Sequence, residues 1–221
     1  YIAIQCLDSL PDKIVKRLSR RDNTQGDYVA IGFDSYFDKR TAFVFTVSAS
    51  GVKGDAFVTE NGNNDDQSWN PIWYVATTID TLGWNAEMKI PFSQLKFGKS
   101  VEQLWGLQVA RNLFREQEMS VWDRIPQNSA GWISESGTLK GLKHLKAQHQ
   151  LEIQPFVVAQ YDTYAREAGN PFKEGREMNL NGGIDAKIGV TNDLTLDLTI
   201  NPDFGQVEAD PGAIALDGFQ I

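Results

Sequence analysis

Two tryptophans, Trp69 and Trp73, close a stretch crowded with polar side chains, NGNNDDQSWNPIW. Flat aromatic rings stack on the apolar C–H faces of sugars, and planar polar groups beside them read the hydroxyls. On that chemistry Trp69, Asn70 and Trp73 form a candidate ligand surface. The competing place for any tryptophan is the core. Trp84 and Trp105, each inside a β-type run, are expected there, while Trp122 and Trp132 suit either location. Asp65 and Asp66 in the same stretch, with the asparagine amides around them, are the candidate metal ligands, because calcium takes several carboxylate and amide oxygens. The spacing is not that of an EF-hand loop, and a plain turn of Asn, Asp and Gly accounts for the same residues.

Further polar residues stand where chains turn. Arg20 closes a helical-looking segment, and Arg111 with Asn112 closes a strand-like run. An arginine in such a place can fork two hydroxyls or a carboxylate, or pair with one of the many acids. Asp34 and Asp38 bracket a hairpin tip, where aspartate bonds its own backbone. His144 and His149 are the only histidines and fall in a polar stretch between two textures of sequence. Neither belongs to a metalloprotease, nucleophile-elbow or phosphate-loop pattern. Asp203, Glu208 and Asp210 crowd TINPDFGQVEADPG, but Pro202, Gly205 and the Pro211-Gly212 pair mark a connector. With 29 acids a glycosidase-like pair of carboxylates is one further alternative, yet abundance is not a motif, and no catalytic residue is expected.

The elements that must position these groups are strands. DYVAIGFDSY places Val29, Ile31 and Phe33 on one face, and TAFVFTVSAS does the same for Phe43, Phe45 and Val47, so residues 27–49 are expected to form a hairpin. PIWYVATTID, GWNAEMKIP, LWGLQVARNLF, SVWDRIP and GTLKGLKHL continue as short β-type runs. One segment, PDKIVKRLSRR, has helical spacing, with Pro11 at a first-turn position. Many short strands between turn clusters predict an antiparallel β-sandwich over residues 1–146.

After residue 147 the runs lengthen. LEIQPFVVAQYD, NLNGGIDAKIGV and LTLDLTI each set mostly apolar side chains on one side against polar ones on the other. Runs of about ten residues with this dyad are the mark of transmembrane β-barrel strands, and Tyr161, Tyr164 and Phe172 fit interfacial positions. A half-buried soluble sheet has the same period. Three strands cannot close a barrel, and lipid tolerates no open edge. The barrel reading therefore needs more strands than these.

Composition narrows the partners. The 221 residues carry a net charge of −8 with no basic stripe, so a nucleic-acid partner is not expected. Cys6 is the only cysteine, which rules out an internal disulfide and a cysteine-based metal site. No apolar run is long enough for a membrane-spanning helix. The opening YIAIQCLDS reads as a strand already under way, as in a fragment of a longer protein.

Four segments carry a resemblance: YIAIQCLDSLPDKIVKRLSRRD, FDSYFDKRTAFVFTVSASGVKGDA, GWNAEMKIPFSQLKF and WGLQVARN. Together with LTLDLTINPDFGQVEADP they resemble a bacterial envelope family that opens with a module similar to family 9 carbohydrate-binding domains. The resemblance implies a sandwich (residues 1–146) followed by the first β-hairpin strands of an outer-membrane barrel (residues 147–221). It likens Trp69 and Trp73 to the aromatic clamp of such modules, raises calcium as a bound ion, and marks Arg20-Arg21-Asp22 and Arg111-Asn112 as recurring elements without a role. The resulting expectation is a non-catalytic carbohydrate-binding protein of the cell envelope, periplasmic or outer-membrane. The alternatives are a plug or scaffold for a barrel, and a hydrolase. Self-association through the exposed strands is expected as well.

Overall fold

Alternation in the sequence becomes strand faces in the fold, which a computed structural model describes for residues 1–145, 151–165, 175–190 and 194–202. Among these residues, ten strands occupy the first part: β1 (Ile2–Leu7), β2 (Tyr28–Asp34), β3 (Ala42–Ser48), β4 (Lys53–Thr59), β5 (Asn64–Asp66), β6 (Tyr74–Asp80), β7 (Gly83–Lys89), β8 (Glu102–Leu113), β9 (Glu118–Val121) and β10 (Gly137–Lys143). Three longer-patterned strands follow: β11 (Leu151–Thr163), β12 (Arg176–Gly189) and β13 (Thr195–Ile200). The chain divides into two compact units, Tyr1–Gln148 and His149–Ile221. The protein is all-β and its sheets are antiparallel.

The first unit is an antiparallel sandwich. A three-stranded sheet, β1-β7-β6, faces a larger sheet of order β10-β8-β2-β3-β4-β5, to which β9 adds beside β8. The β2–β3 register pairs Val29 with Val47, Ile31 with Phe45 and Phe33 with Phe43. All six are buried, packed in one cluster with Cys6, Trp73, Trp84, Met88 and Trp105. Each such side chain withdrawn from water contributes about 1.5–3 kcal/mol. Ring contacts are edge-on, with Phe45 and Trp73 centroids 5.1 Å apart and Phe33 and Trp105 6.0 Å apart, the arrangement that aromatic quadrupoles favour. Trp84 and Trp105 are thus in the core, as their strand context requires. Burial pushes the Cys6 thiol up to about 11, leaving it protonated and inert.

The expected helix does not form. Within that segment only Pro11–Lys13 makes a 3₁₀ turn, and the chain then runs irregularly to an isolated bridge between Lys16 and Gly26. The cause is tertiary. The carboxylate of buried Asp27 accepts the Val15 N–H at 2.6 Å, and the Asp27 N–H donates to the Val15 carbonyl at 2.9 Å. These bonds take the backbone groups that a helical ladder would need, while Ile14 is drawn into the core. Gly26 permits the approach: its φ is +112°, and a Cβ there would lie 2.2 Å from the Val15 oxygen.

In the second unit β12 pairs with both β11 and β13. Opposed pairs such as Ile153–Ala186, Ala159–Leu180, Tyr161–Met178, Ile184–Ile200 and Ile188–Leu196 put the apolar residues on one face. Within this unit nothing among the described residues covers that face, with Val157, Leu180 and Met178 each about 70% exposed (75%, 71% and 69%). His149, Phe172, Asp203, Glu208 and Asp210 lie outside the described residues.

Candidate functional site

Facing away from the core, the larger sheet carries the other half of each alternation. Ala30 and Gly32 on β2, Val44 and Thr46 on β3, Gly54, Ala56 and Val58 on β4, and Gln108 and Ala110 on β8 project there. Registers such as Ala30–Thr46–Gly54 and Gly32–Val44–Ala56 align them across the strands. Because most are small, the face sinks into an open groove of about 340 Å³. Met119, Val121 and Ile125 wall one side, Asp22, Thr24, Asp65 and Gln67 the other, with Tyr28, Asp55 and Trp132 completing the lining.

Trp132 is held in place by its neighbours. A Cβ on Gly32 would stand 2.6 Å from its Cη2, and one on Gly62 would stand 2.2 Å from its Cδ1, so the indole rests against both glycines. Gly62 also has φ +99°, a conformation suited to glycine. Fully buried Ile133 anchors the adjacent position beside Ala42 and Val58. The turn after β4 clasps the loop: Asn61 exchanges hydrogen bonds with Ser134 at 2.8 and 3.0 Å, and Asn63 donates to the Ala130 carbonyl at 2.9 Å. On the opposite wall Gln108 donates to the Asp123 carbonyl and accepts its N–H, both at 2.9 Å, fixing the segment that carries Ile125.

The lining leaves polar groups unspent. Among the described residues no hydrogen bond joins the Tyr28 hydroxyl, the Thr46 hydroxyl, the Gln67 amide, the Asp65 carboxylate or the Trp132 indole N–H to another protein group. Burial pushes the Tyr28 phenol above its ordinary range, so it stays a neutral hydroxyl. At the Asp22 end, Asp22 accepts the Asp55 N–H at 2.8 Å. The Asp55 carboxylate, 1% exposed, is gripped by Arg21 at 2.7 Å and by the Trp73 indole at 2.9 Å. Burial drives the Asp55 pKa up, and those two partners act against the rise.

The residues chosen from sequence do not assemble. Trp73 is 1% exposed, edge-on to Phe45 and bonded to Asp55, so it has no face to offer a ligand. Trp69 packs on Phe43 and Phe45 at 4.9 and 5.5 Å, on the core side of the sheet. A clamp of Trp69 and Trp73 is therefore not what this fold presents. Asn70 is exposed between β5 and β6, and Arg20 is exposed just before Asp22, whose N–H donates to the Lys53 carbonyl; neither lines the groove. Arg111 donates to the Leu7 carbonyl at 2.7 Å and approaches Asp8 at 3.7 Å, while Asn112 donates to the Gly26 carbonyl at 3.0 Å. Both are structural ties. Asp65 and Asp66 are neighbours on β5, opposed to Val58 and Phe57, so their side chains leave opposite faces and do not converge on one ion. Asp66 instead binds the N–H and hydroxyl of Ser68. Among the described residues no group of three His, Cys, Asp or Glu is placed to hold a metal. The groove's own signature was present in the sequence as small residues alternating with large apolar ones in β2 and β8, the signal that would have found it.

Residues 148–221 match a family described as "Domain of unknown function (DUF5916)". No curated protein and no solved structure matches the chain. The C-terminal third is thus similar to an uncharacterised family.

Proposed function

We propose that the sandwich unit binds carbohydrate, without catalysis, in the groove on the outer face of its larger sheet. The observation that carries the reading is Trp132, an indole held rigidly in the lining of an open groove with its N–H unspent. A sugar ring needs an aromatic or small apolar surface for its C–H face and polar groups around it for its hydroxyls. Ala30, Gly32, Ala56 and Ala110 provide the floor, and Tyr28, Thr46, Gln67 and Asp65 provide the polar groups. Binding is favoured over turnover because a glycosidase needs two free carboxylates. Asp55 is held by Arg21 and the Trp73 indole, and Asp22 by the Asp55 N–H and Arg21, which leaves Asp65 as the one lining carboxylate without a partner among the described residues. Calorimetric titration of the 221-residue chain with a panel of soluble oligosaccharides tests this. At least one should bind, and Trp132→Ala should weaken it at least about tenfold, the scale of a lost stacking anchor. An empty panel, or binding indifferent to Trp132→Ala, would refute the reading.

A second observation favours a cell-envelope setting, with β11–β13 lying in the outer membrane. Their apolar face is uncovered while their opposite face carries Glu152, Asp162, Glu177, Asp185, Lys187 and Asp197. The 13 residues of β11 extend about 43 Å, enough to cross the roughly 25 Å apolar band of such barrels at their usual tilt. Closure would require further strands. Flotation with phospholipid vesicles checks it: the chain should float, and Leu180→Asp with Leu196→Asp should leave it in the dense fraction.

A further inference from the structure

The groove's charge is one-sided. Asp22, Asp55 and Asp65 line it, and among the described residues no Lys, Arg or His does. The cations beside them are spent at the Asp22 end: Arg21 binds Asp55 at 2.7 Å and stands 3.9 Å from Asp22, and Lys53 donates to the Trp73 carbonyl at 3.0 Å. Asp65 is exposed and has no partner among the described residues, so its charge acts on whatever occupies the groove. From this asymmetry we infer that the groove selects its glycan by charge: it takes sugars bearing a free amino group in preference to uncharged ones and rejects uronate and sulfated chains. The inference rests on the glycan reading and names the ligand class within it. An anion entering here meets the unpaired carboxylate of Asp65, whereas an ammonium satisfies it. A unit charge about 4 Å from a carboxylate in water changes affinity about fivefold, and salt screens the effect over about 10 Å at 0.1 M.

Titration of the whole chain with three oligomers of equal length tests it: a neutral glucan, the corresponding glucosamine oligomer and a polyuronate. At low salt the glucosamine oligomer should bind about fivefold or more tighter than the glucan, and the uronate should not bind measurably. High salt should shrink the first ratio. Asp65→Asn should lower the amino-to-neutral ratio, and Asp65→Lys should admit the uronate. Asp65 is exposed, so neither change threatens folding. Uronate binding as tight as glucan binding by the unaltered protein would overturn the charge selection while leaving the glycan reading standing. So would an amino-to-neutral ratio unmoved by Asp65→Asn, Asp22→Asn and salt. Failure of all three oligomers, together with an empty wider panel, would overturn both.

Discussion

Trp73 and Trp132 show how one side-chain type divides between the core and the lining of a groove. Trp73 fills the space against Phe45 and satisfies Asp55. Its replacement by Ala should cost about 3–5 kcal/mol in chemical denaturation, from the cavity and the stranded carboxylate together. Arg21 bears on the same carboxylate. Because Arg21 is a third exposed (33%) and Asp55 is 1% exposed, Arg21→Ala should cost about 2 kcal/mol at pH 7, less than the full loss for a wholly buried pair. The penalty should ease toward pH 4. Burial already raises the Asp55 pKa, and without Arg21 it rises further, so the group is increasingly neutral as pH falls. A penalty of equal size at both pH values would contradict this account.

Among the elements, the end of β1 is tied across the sandwich by one carboxylate. Asp8 receives both Arg115 terminal nitrogens, at 2.7 and 2.8 Å, with Arg111 at 3.7 Å. The Arg115 hydrogen bonds hold the Asp8 pKa below its ordinary 3.8. A folded pKa below the unfolded one means stability that is present above pH 3.8 and lost as pH falls through the folded value. Asp8→Asn should therefore lower the thermal midpoint at neutral pH and flatten the acid limb of the stability curve. A second element-scale test lies in β2. Gly32→Ala inserts a methyl 2.6 Å from the Trp132 ring, so the indole must shift. Glycan affinity should drop severalfold, while the core face of the strand, Ile31 and Phe33, keeps its packing.

For the molecule as a whole, the outstanding physical demand is the apolar face of β11–β13. Exposed contiguous apolar surface of this kind marks an interaction surface, and in water copies of the chain should associate through it. Light scattering should report oligomers that detergent micelles disperse to single chains. A monodisperse monomer without detergent would contradict that expectation. The polar opposite face, with its acids and Lys187, is the side that water would keep.

Strand identity was legible in the sequence because the period of two is a local property. Val29, Ile31, Phe33 and Phe43, Phe45, Val47 declared one face before any partner was known, and β11–β13 declared theirs with equal clarity. Trp84 and Trp105 were assigned to the core on the same ground. The helix over residues 11–21 failed because helical spacing says nothing of Asp27, which reaches Val15 from 12 residues away and takes its backbone. The expected Trp69–Trp73 surface is not formed, for a similar reason. Proximity to a polar loop made Trp69 and Trp73 attractive, but whether an indole is walled in or left open depends on the sheet packed against it. Asn61 and Asn63, read from sequence as a turn or a calcium loop, clasp the loop bearing Trp132, and Asn61 meets Ser134 across 73 positions of chain. Sequence alone determined the all-β class, the two textures and the faces of the strands, all set by neighbours in the chain. Which tryptophan lines the groove, and which of its carboxylates stays unpaired, was decided by tertiary structure, because accessibility and ion pairing belong to contacts between distant segments.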